Sequence, residues 1–481
     1  MVQLTQFHMI GIILTLLVIM AIGIHSGKKV KNASDFSTGG RSASTTIVTG
    51  ALISTLIGGS STIGTAELAF TNGMSAWWFT LGTGLGCLLF ALIFIKPIRD
   101  SGCNTIQQII SSEYGAVSGV VTSVLNIFGI ILNIVAQILA ANALLTTMFG
   151  ISPTLCAFIT VIIMICYVVF GGVLGTGVLG IIKLALIYVA IIFGTWKIFN
   201  IDGGFFAIYN SLPHDIYFNM LSRGAGNEIG AAISVMLGVI CGQTYVQIIL
   251  SGKSYKEART GAIISAALLP PVGLGGVLIG MYMKTNYPLI NPGQAFPLFI
   301  MEHMPPVLGG ATLAILLIAL VGTGSGMALG MGSIITNDIY LKFINKNADS
   351  KRELLVNRIV IVIAFIVSAI FTSGNLHTSI LSWGFLATGL RGTVLLMPMF
   401  GALFLKGKIN AKFAVASSVL GVATHLAGEL FMDLNFDSLF LGLIISILVA
   451  ILGMIFNNNK SDIHLSIHKN QDKVIKWLNF N

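Results

Sequence analysis

Ile57-Gly58-Gly59-Ser60-Ser61-Thr62-Ile63-Gly64 lies in the middle of an apolar run covering residues 45–72. Its three glycines and three hydroxyls weaken a helix where lipid offers no replacement hydrogen bonds to the backbone. Such a stretch is tolerated only against protein or a water-filled cavity, where freed carbonyls can coordinate a cation and helix ends can meet a polar solute. Small residues also serve close helix packing. Packing needs the glycines but not the adjoining hydroxyls, so the stretch predicts an interrupted helix that lines a site. Five helices later, Gly238, Cys241-Gly242-Gln243-Thr244 and Gln247 interrupt a second apolar run, 228–251. Two broken helices, each the first in a set of five, form the pattern of an inverted-repeat transporter.

The rest of the chain fits a lipid setting. Of 481 residues, 55% are hydrophobic and only 9% charged, and the mean hydropathy is +0.92. A soluble domain carries roughly a quarter charged residues. Apolar runs long enough to cross a hydrocarbon core of roughly 30 Å recur from end to end. Thirteen spans are expected in this all-α membrane protein. A leading helix (8–26), which lacks a small-residue cleavage site and is read as retained, precedes ten core helices. These fall near 45–72, 74–98, 116–149, 152–171, 178–198, 228–251, 260–283, 307–336, 355–373 and 379–405. Two trailing helices follow at 412–430 and 437–456. The five-plus-five inverted-repeat core then comprises 45–198 and 228–405, within one transporter domain over 1–456 and a tail over 457–481.

The net charge of +9 is a topology signal and not a nucleic-acid face, because the basic residues sit in short loops between apolar runs. With the N-terminus outside, 21 of the 26 lysines and arginines fall on the cytoplasmic side, among them Lys28, Lys96, Lys253, Lys342 and Lys406. Only Lys197, Arg223 and Lys284 fall on the other side, while Lys183 and Arg391 lie inside spans. The expected location is the cell membrane, multi-pass, with the C-terminus in the cytoplasm. In the tail, Ile463 to Phe480 mixes apolar and basic residues, as an amphipathic helix on the inner membrane surface would. His464 and His468 stand four apart there, which suits a metal or a solvated face. The five cysteines, Cys87, Cys103, Cys156, Cys166 and Cys241, lack metal-ligand spacing and read as small core residues.

Enzymatic chemistry has little support, since His377 and His425 stand without acidic neighbours at useful spacing. The glycine-rich stretches Gly82–Gly86 and Gly171–Gly180 lack the strand setting of a nucleotide loop. A channel would show a repeated pore segment or rings of charge, and a transporter-like sensor would carry a signalling module. In core helix 8, Gly322, Gly326 and Gly330 form a ridge for a neighbouring helix, to which Thr323 and Ser325 add hydroxyls that packing does not require.

Several fragments in order resemble the sodium:solute symporter family over about residues 8–456. They are core helix 1 through Gly73-Met74-Ser75-Ala76-Trp77, then Pro97-Ile98-Arg99 and Glu113-Tyr114-Gly115. Gln247 with Ser251-Gly252-Lys253-Ser254, and finally Asp338-Ile339-Tyr340, complete the set. The resemblance implies symport of a small polar solute by alternating access, driven by a sodium gradient, with core helices 1, 2, 6 and 7 rocking against the rest. It implies no organic cofactor and no nucleic-acid partner, only solute, lipid and a coupling ion, and it leaves a homo-oligomer open. The family's sodium site maps onto the carbonyls of Ser54, Ile57 and Ala319 and onto a hydroxyl pair at Gly322 and Thr323. Gly322 departs from that pattern because it has no hydroxyl. A family Thr-Asp-x-x-Gln maps onto Leu179-Gly180-Ile181-Ile182-Lys183, so a carboxylate is lost and a lysine replaces glutamine.

Lys183 has two readings. Its ammonium takes the sodium ion's place, making transport proton-coupled or ion-independent, or it snorkels to the cytoplasmic end ~7 Å away. Arg391 suits a carboxylate-bearing solute or pairs internally with Glu67. Ser60, Ser61, Thr62, Gln243 and Gln247 are the other candidate solute contacts, though the glutamines serve helix–helix hydrogen bonds equally well.

Overall fold

A computed structural model describes residues 4–27, 41–201, 203–376 and 378–457. The tail with His464 and His468, and His377, lie outside these residues. The described chain is helical throughout, with one isolated bridge, Ala43 to Gly252, and no strand. Helical backbone covers every apolar run: Gln6–Gly27, Ala116–Phe149, Ser350–Ser373, Ile380–Phe404, Ala411–Phe431 and Leu439–Ile455 match the expected spans to within a few residues. Among the described residues eight helices are long and apolar enough to cross a membrane, or nine if the bent pair Ala225–Ile240 and Gln243–Ser251 is one span. Four shorter apolar helices accompany them, including Thr45–Leu56 and Leu439–Ile455.

The ends of these helices follow local chemistry. Ser254 accepts a hydrogen bond from Glu257 N–H at the start of core helix 7 (Tyr255–Asn286), the side-chain cap expected of Ser-x-x-Glu. Asp349 and Asn410 cap Ser350–Ser373 and Ala411–Phe431 in the same way. Gly150, left-handed at φ 64°, ends core helix 3 (Ala116–Phe149).

Both expected interruptions are present. Core helix 1 stops at Leu56 and resumes at Ser60 as a π turn, Ser60–Gly64, followed by Thr65–Asn72. Core helix 6 stops at Ile240 and resumes at Gln243, bent by 46°. Between core helices 4 and 5 the structure differs from expectation. Helical turns fill the stretch Pro153–Asn200 without a loop between the two expected spans. Its two parts nevertheless run in opposite senses. Cys156 meets Thr146 at the end of core helix 3 (3.5 Å), and Met164 lies beside the Gln137 stem, so this part runs antiparallel to core helix 3. Gly177, Gly180 and Lys183 then meet Ile47, Gly50 and Ser54 in parallel with core helix 1.

Glycine contacts set the helix spacing. A Cβ built on Gly180 would lie 1.8 Å from the Gly50 carbonyl oxygen, and one on Gly50 would lie 2.1 Å from that of Gly177. Core helices 1 and 5 therefore touch backbone to backbone, which brings Lys183, one turn beyond Gly180, against Ser54. Gly180→Ala is expected to destabilise the protein by about 2 kcal/mol through overpacking. Gly276→Ala, whose new Cβ would find only ordinary contacts at 3.5 Å and beyond, serves as the control. Equal melting temperatures for the two variants would show that the helices do not meet through their backbones. The leading helix docks by the same device, with Gly11 against the Val307 carbonyl and Gly310 against His8.

Candidate functional site

The two interruptions face one another across a narrow central cavity of about 30 Å³. Gly58 and Ser60 line it from core helix 1, Gly238 and Tyr245 from core helix 6, and Thr323 and Met327 from core helix 8. Core helix 3 contributes Asn133 and Gln137, and core helix 10 contributes Thr388 and Arg391. Phe79 of core helix 2 also lines it, tilted against Phe385 at 5.6 Å between ring centroids.

The break in core helix 1 is stitched by side chains. Gly58 N–H donates to Ser61 Oγ (2.8 Å), while Gly59 N–H donates to Gln137 Oε1 (2.7 Å). Thr62 Oγ1 donates to the Gly58 carbonyl (2.7 Å) and Ser61 Oγ to those of Gly58 and Leu56. The hydroxyls of Ser61 and Thr62 are thus spent on the backbone, and of the three expected contacts only Ser60 lines the cavity. Gln137 supplies from another helix the partner that a buried N–H requires.

Lys183 is buried at 1% exposure and does not snorkel. Its Nζ donates to the carbonyls of Ser54 (2.7 Å) and Ala319 (3.4 Å), two of the three carbonyls assigned to the sodium site. Thr323 Oγ1 donates to the same Ser54 oxygen at 3.3 Å. Ile57, the third, is the extended residue at which the helix stops, and Gly322 lies in the adjoining turn of core helix 8. An ammonium held by two main-chain carbonyl oxygens is seated much as a monovalent cation would be.

Arg391 is 2% exposed. Nε donates to the Ala387 carbonyl (3.3 Å) and Nη1 to Met327 Sδ (3.7 Å), while Tyr245 lines the same cavity. Its Nη2 has no partner, and no ion pair of Arg391 with a carboxylate occurs among the described residues. Gly129 makes room for the stem, since a Cβ there would lie 2.8 Å from Arg391 Cγ. The expected pairing with Glu67 does not form. Glu67 Oε2 accepts the Ile380 N–H (3.0 Å) at the start of core helix 10, in a separate cavity with Asn142 and Thr378.

The glutamines of core helix 6 lie outside the cavity lining. Gln243 accepts from Ile106 N–H and donates to the Asn104 carbonyl, both at 3.0 Å, and Gln247 donates to Ser333 Oγ. These are bonds between elements, the other role the sequence allowed. Asn133 and Gln137 escaped sequence reasoning. Their signal was an amide pair four apart in a 34-residue helix that is otherwise largely apolar.

Comparison with known proteins places these features in context. The model of the sodium:solute symporter family matches residues 36–421. The human high affinity choline transporter 1 is 24% identical, over 88% of this chain and 77% of its own. The sodium/sialic acid symporter NanT of Aliivibrio fischeri is also 24% identical, with 92% of each chain covered. A Na+-coupled sialic acid symporter in a substrate-bound outward-open state superposes at a TM-score of 0.80, covering 95% of this chain and 98% of its own at 20% identity. That likeness establishes a shared fold.

Proposed function

The chain belongs to the sodium:solute symporter family, and on that premise we propose that it carries a small carboxylate-bearing solute by alternating access, with the Lys183 ammonium in the place the resemblance gives to a sodium ion. The observation that carries this is the seat of Nζ, 2.7 Å from the Ser54 carbonyl and 3.4 Å from that of Ala319. One unit charge in that space leaves no room for a second. Between sodium drive and proton drive, the geometry favours the proton. A protonated lysine satisfies the carbonyls, and a neutral amine holds them less strongly, so proton binding and release changes the grip between core helices 1, 5 and 8. Ser54, Ile57, Ala319 and Thr323 would hold sodium only if the ammonium withdrew.

The solute end of the site is Arg391, whose free Nη2 and lack of an acidic partner among the described residues favour an anionic or zwitterionic solute. Ser60, Asn133 and Thr388 supply neutral hydrogen bonds around it. The cavity is water-sized here, so the solute enters as the bundle of core helices 1, 2, 6 and 7 rocks away from the rest. We assign thirteen membrane crossings, the two repeats 45–198 and 228–405, the N-terminus outside and the C-terminus in the cytoplasm, from the 21-to-3 division of basic residues.

Proteoliposome uptake of a panel of carboxylates, under separate sodium and proton gradients, tests the proposal. Accumulation is expected to follow an inward proton gradient and to stay within about twofold when sodium is replaced by N-methylglucamine, since RT ln 2 is only about 0.4 kcal/mol of driving interaction. Accumulation that collapses without sodium would overturn the placement of the lysine.

A further inference from the structure

A second cavity, of about 350 Å³, opens between the start of core helix 6, the first turns of core helix 10 and the loop joining the trailing helices. It lies roughly one turn beyond the central site along both core helices: Ala231 and Phe385 line it, where Val235 and Thr388 line the other. Three carboxylates, Glu429, Asp433 and Asp437, border it, and among the described residues none forms an ion pair. The nearby cation is already committed. Arg223 grips the fully buried Glu228 through Nε (2.9 Å) and Nη2 (2.7 Å), with its guanidinium 5.6 Å from the centre of the Phe385 ring.

A cluster of acids alone would be an ordinary solvated loop. This one has a floor. His425 lines the cavity at 2% exposure, and its Nδ1 has no hydrogen-bond partner. Glu429 accepts from Ser438 Oγ and Asp437 Oδ1 from Leu439 N–H, both at 2.9 Å, so each carboxylate has acceptor capacity to spare. Like charges crowded around a concave, partly apolar space attract a cation.

From these features we infer that this cavity is a second binding site, for a small organic cation of the amine or diamine class, separate from the central site. The volume falls in the range that small molecules occupy, roughly 300–1,000 Å³, and Phe385 already serves one cation as an aromatic platform. An organic ion fits better than a metal, because no group of three or more His, Cys, Asp or Glu able to hold one occurs among the described residues. Under the orientation proposed above, the site faces the exterior. A cation there would bridge core helices 6 and 10 and the trailing pair.

The test uses the full chain in lipid nanodiscs, titrated calorimetrically with 1,4-diaminobutane and with tetramethylammonium at constant ionic strength. Saturable 1,4-diaminobutane binding is expected, weakened at least tenfold in Glu429→Gln/Asp433→Asn/Asp437→Asn and unchanged in Lys183→Gln and Arg391→Gln. Should the triple variant not fold, Glu429→Gln/Asp433→Asn changes two exposed side chains only, and at least threefold weakening is expected. Absence of saturable amine binding to the unaltered chain would overturn the site. So would undiminished affinity in the folded acid variants, or calcium binding to these carboxylates in place of either amine. Loss of transport in Arg391→Gln with diamine affinity intact would separate this site from the central one.

Discussion

Lys183→Gln is expected to abolish the response of uptake to a proton gradient and to lower concentrative accumulation at least tenfold. The amide that replaces the ammonium can still donate to the Ser54 carbonyl, so the helix contacts at 2.7 and 3.4 Å are weakened but not erased. What disappears is the charge, and with it about 1.5–3 kcal/mol per charge-assisted bond. Solute exchange at equal concentrations on both sides should survive, because it needs the cavity and not the drive. The variant should fold, since replacing a buried ion by a neutral group of similar volume is often harmless. Measured side by side, counterflow that persists while proton-driven accumulation vanishes supports the assignment. A variant that accumulates solute under a proton gradient as well as the native chain would remove Lys183 from the coupling mechanism.

The second large effect belongs to Arg391. Arg391→Gln is expected to weaken carboxylate solutes by about 100-fold or more, the scale of about 3 kcal/mol lost when one partner of a buried pair is removed. The neutral amide of the same solute should change by less than about threefold. Stability should move the other way. The guanidinium is 2% exposed, with Nη2 unsatisfied and no acid in reach among the described residues, so removing it in the absence of solute relieves an uncompensated charge. Weaker transport combined with a raised melting temperature is therefore the signature of a binding residue. A lowered melting temperature with unchanged preference for carboxylates over amides would make Arg391 a structural strut.

Much of this was legible in the sequence, and the reason is physical. Membrane spans announce themselves because lipid imposes one rule on every residue of a 20-residue run, and the bounds of Ile380–Phe404 or Ala411–Phe431 follow from it. The breaks at Ile57–Gly59 and Cys241–Gly242 were visible because glycine and hydroxyl clusters are costly there. Lys183 stood out as a charge inside a span.

The rest depended on partners distant along the chain. That Ser61 and Thr62 would be consumed locally, and Gln137 recruited to Gly59 from 78 residues away, is settled by which helix lies opposite the break. Glu67 is equally instructive. Sequence offered Arg391 as its counterpart, but the backbone N–H of Ile380 at a helix start is nearer and already seeks an acceptor.

The interruptions of core helices 1 and 6 have one more consequence. Each converts a single long peptide dipole into two short ones and so creates four termini at the breaks: carbonyl ends at Leu56 and Ile240, and amide ends at Ser60 and Gln243, of which Leu56 and Ser60 line the cavity. Every terminus carries roughly half an elementary charge, positive for the amides and negative for the carbonyls. These partial charges cancel in sum, so the Arg391 guanidinium sets the net charge of the chamber while the breaks polarise its walls. A zwitterion can lie along that gradient with both poles stabilised, while an uncharged apolar molecule gains nothing from it.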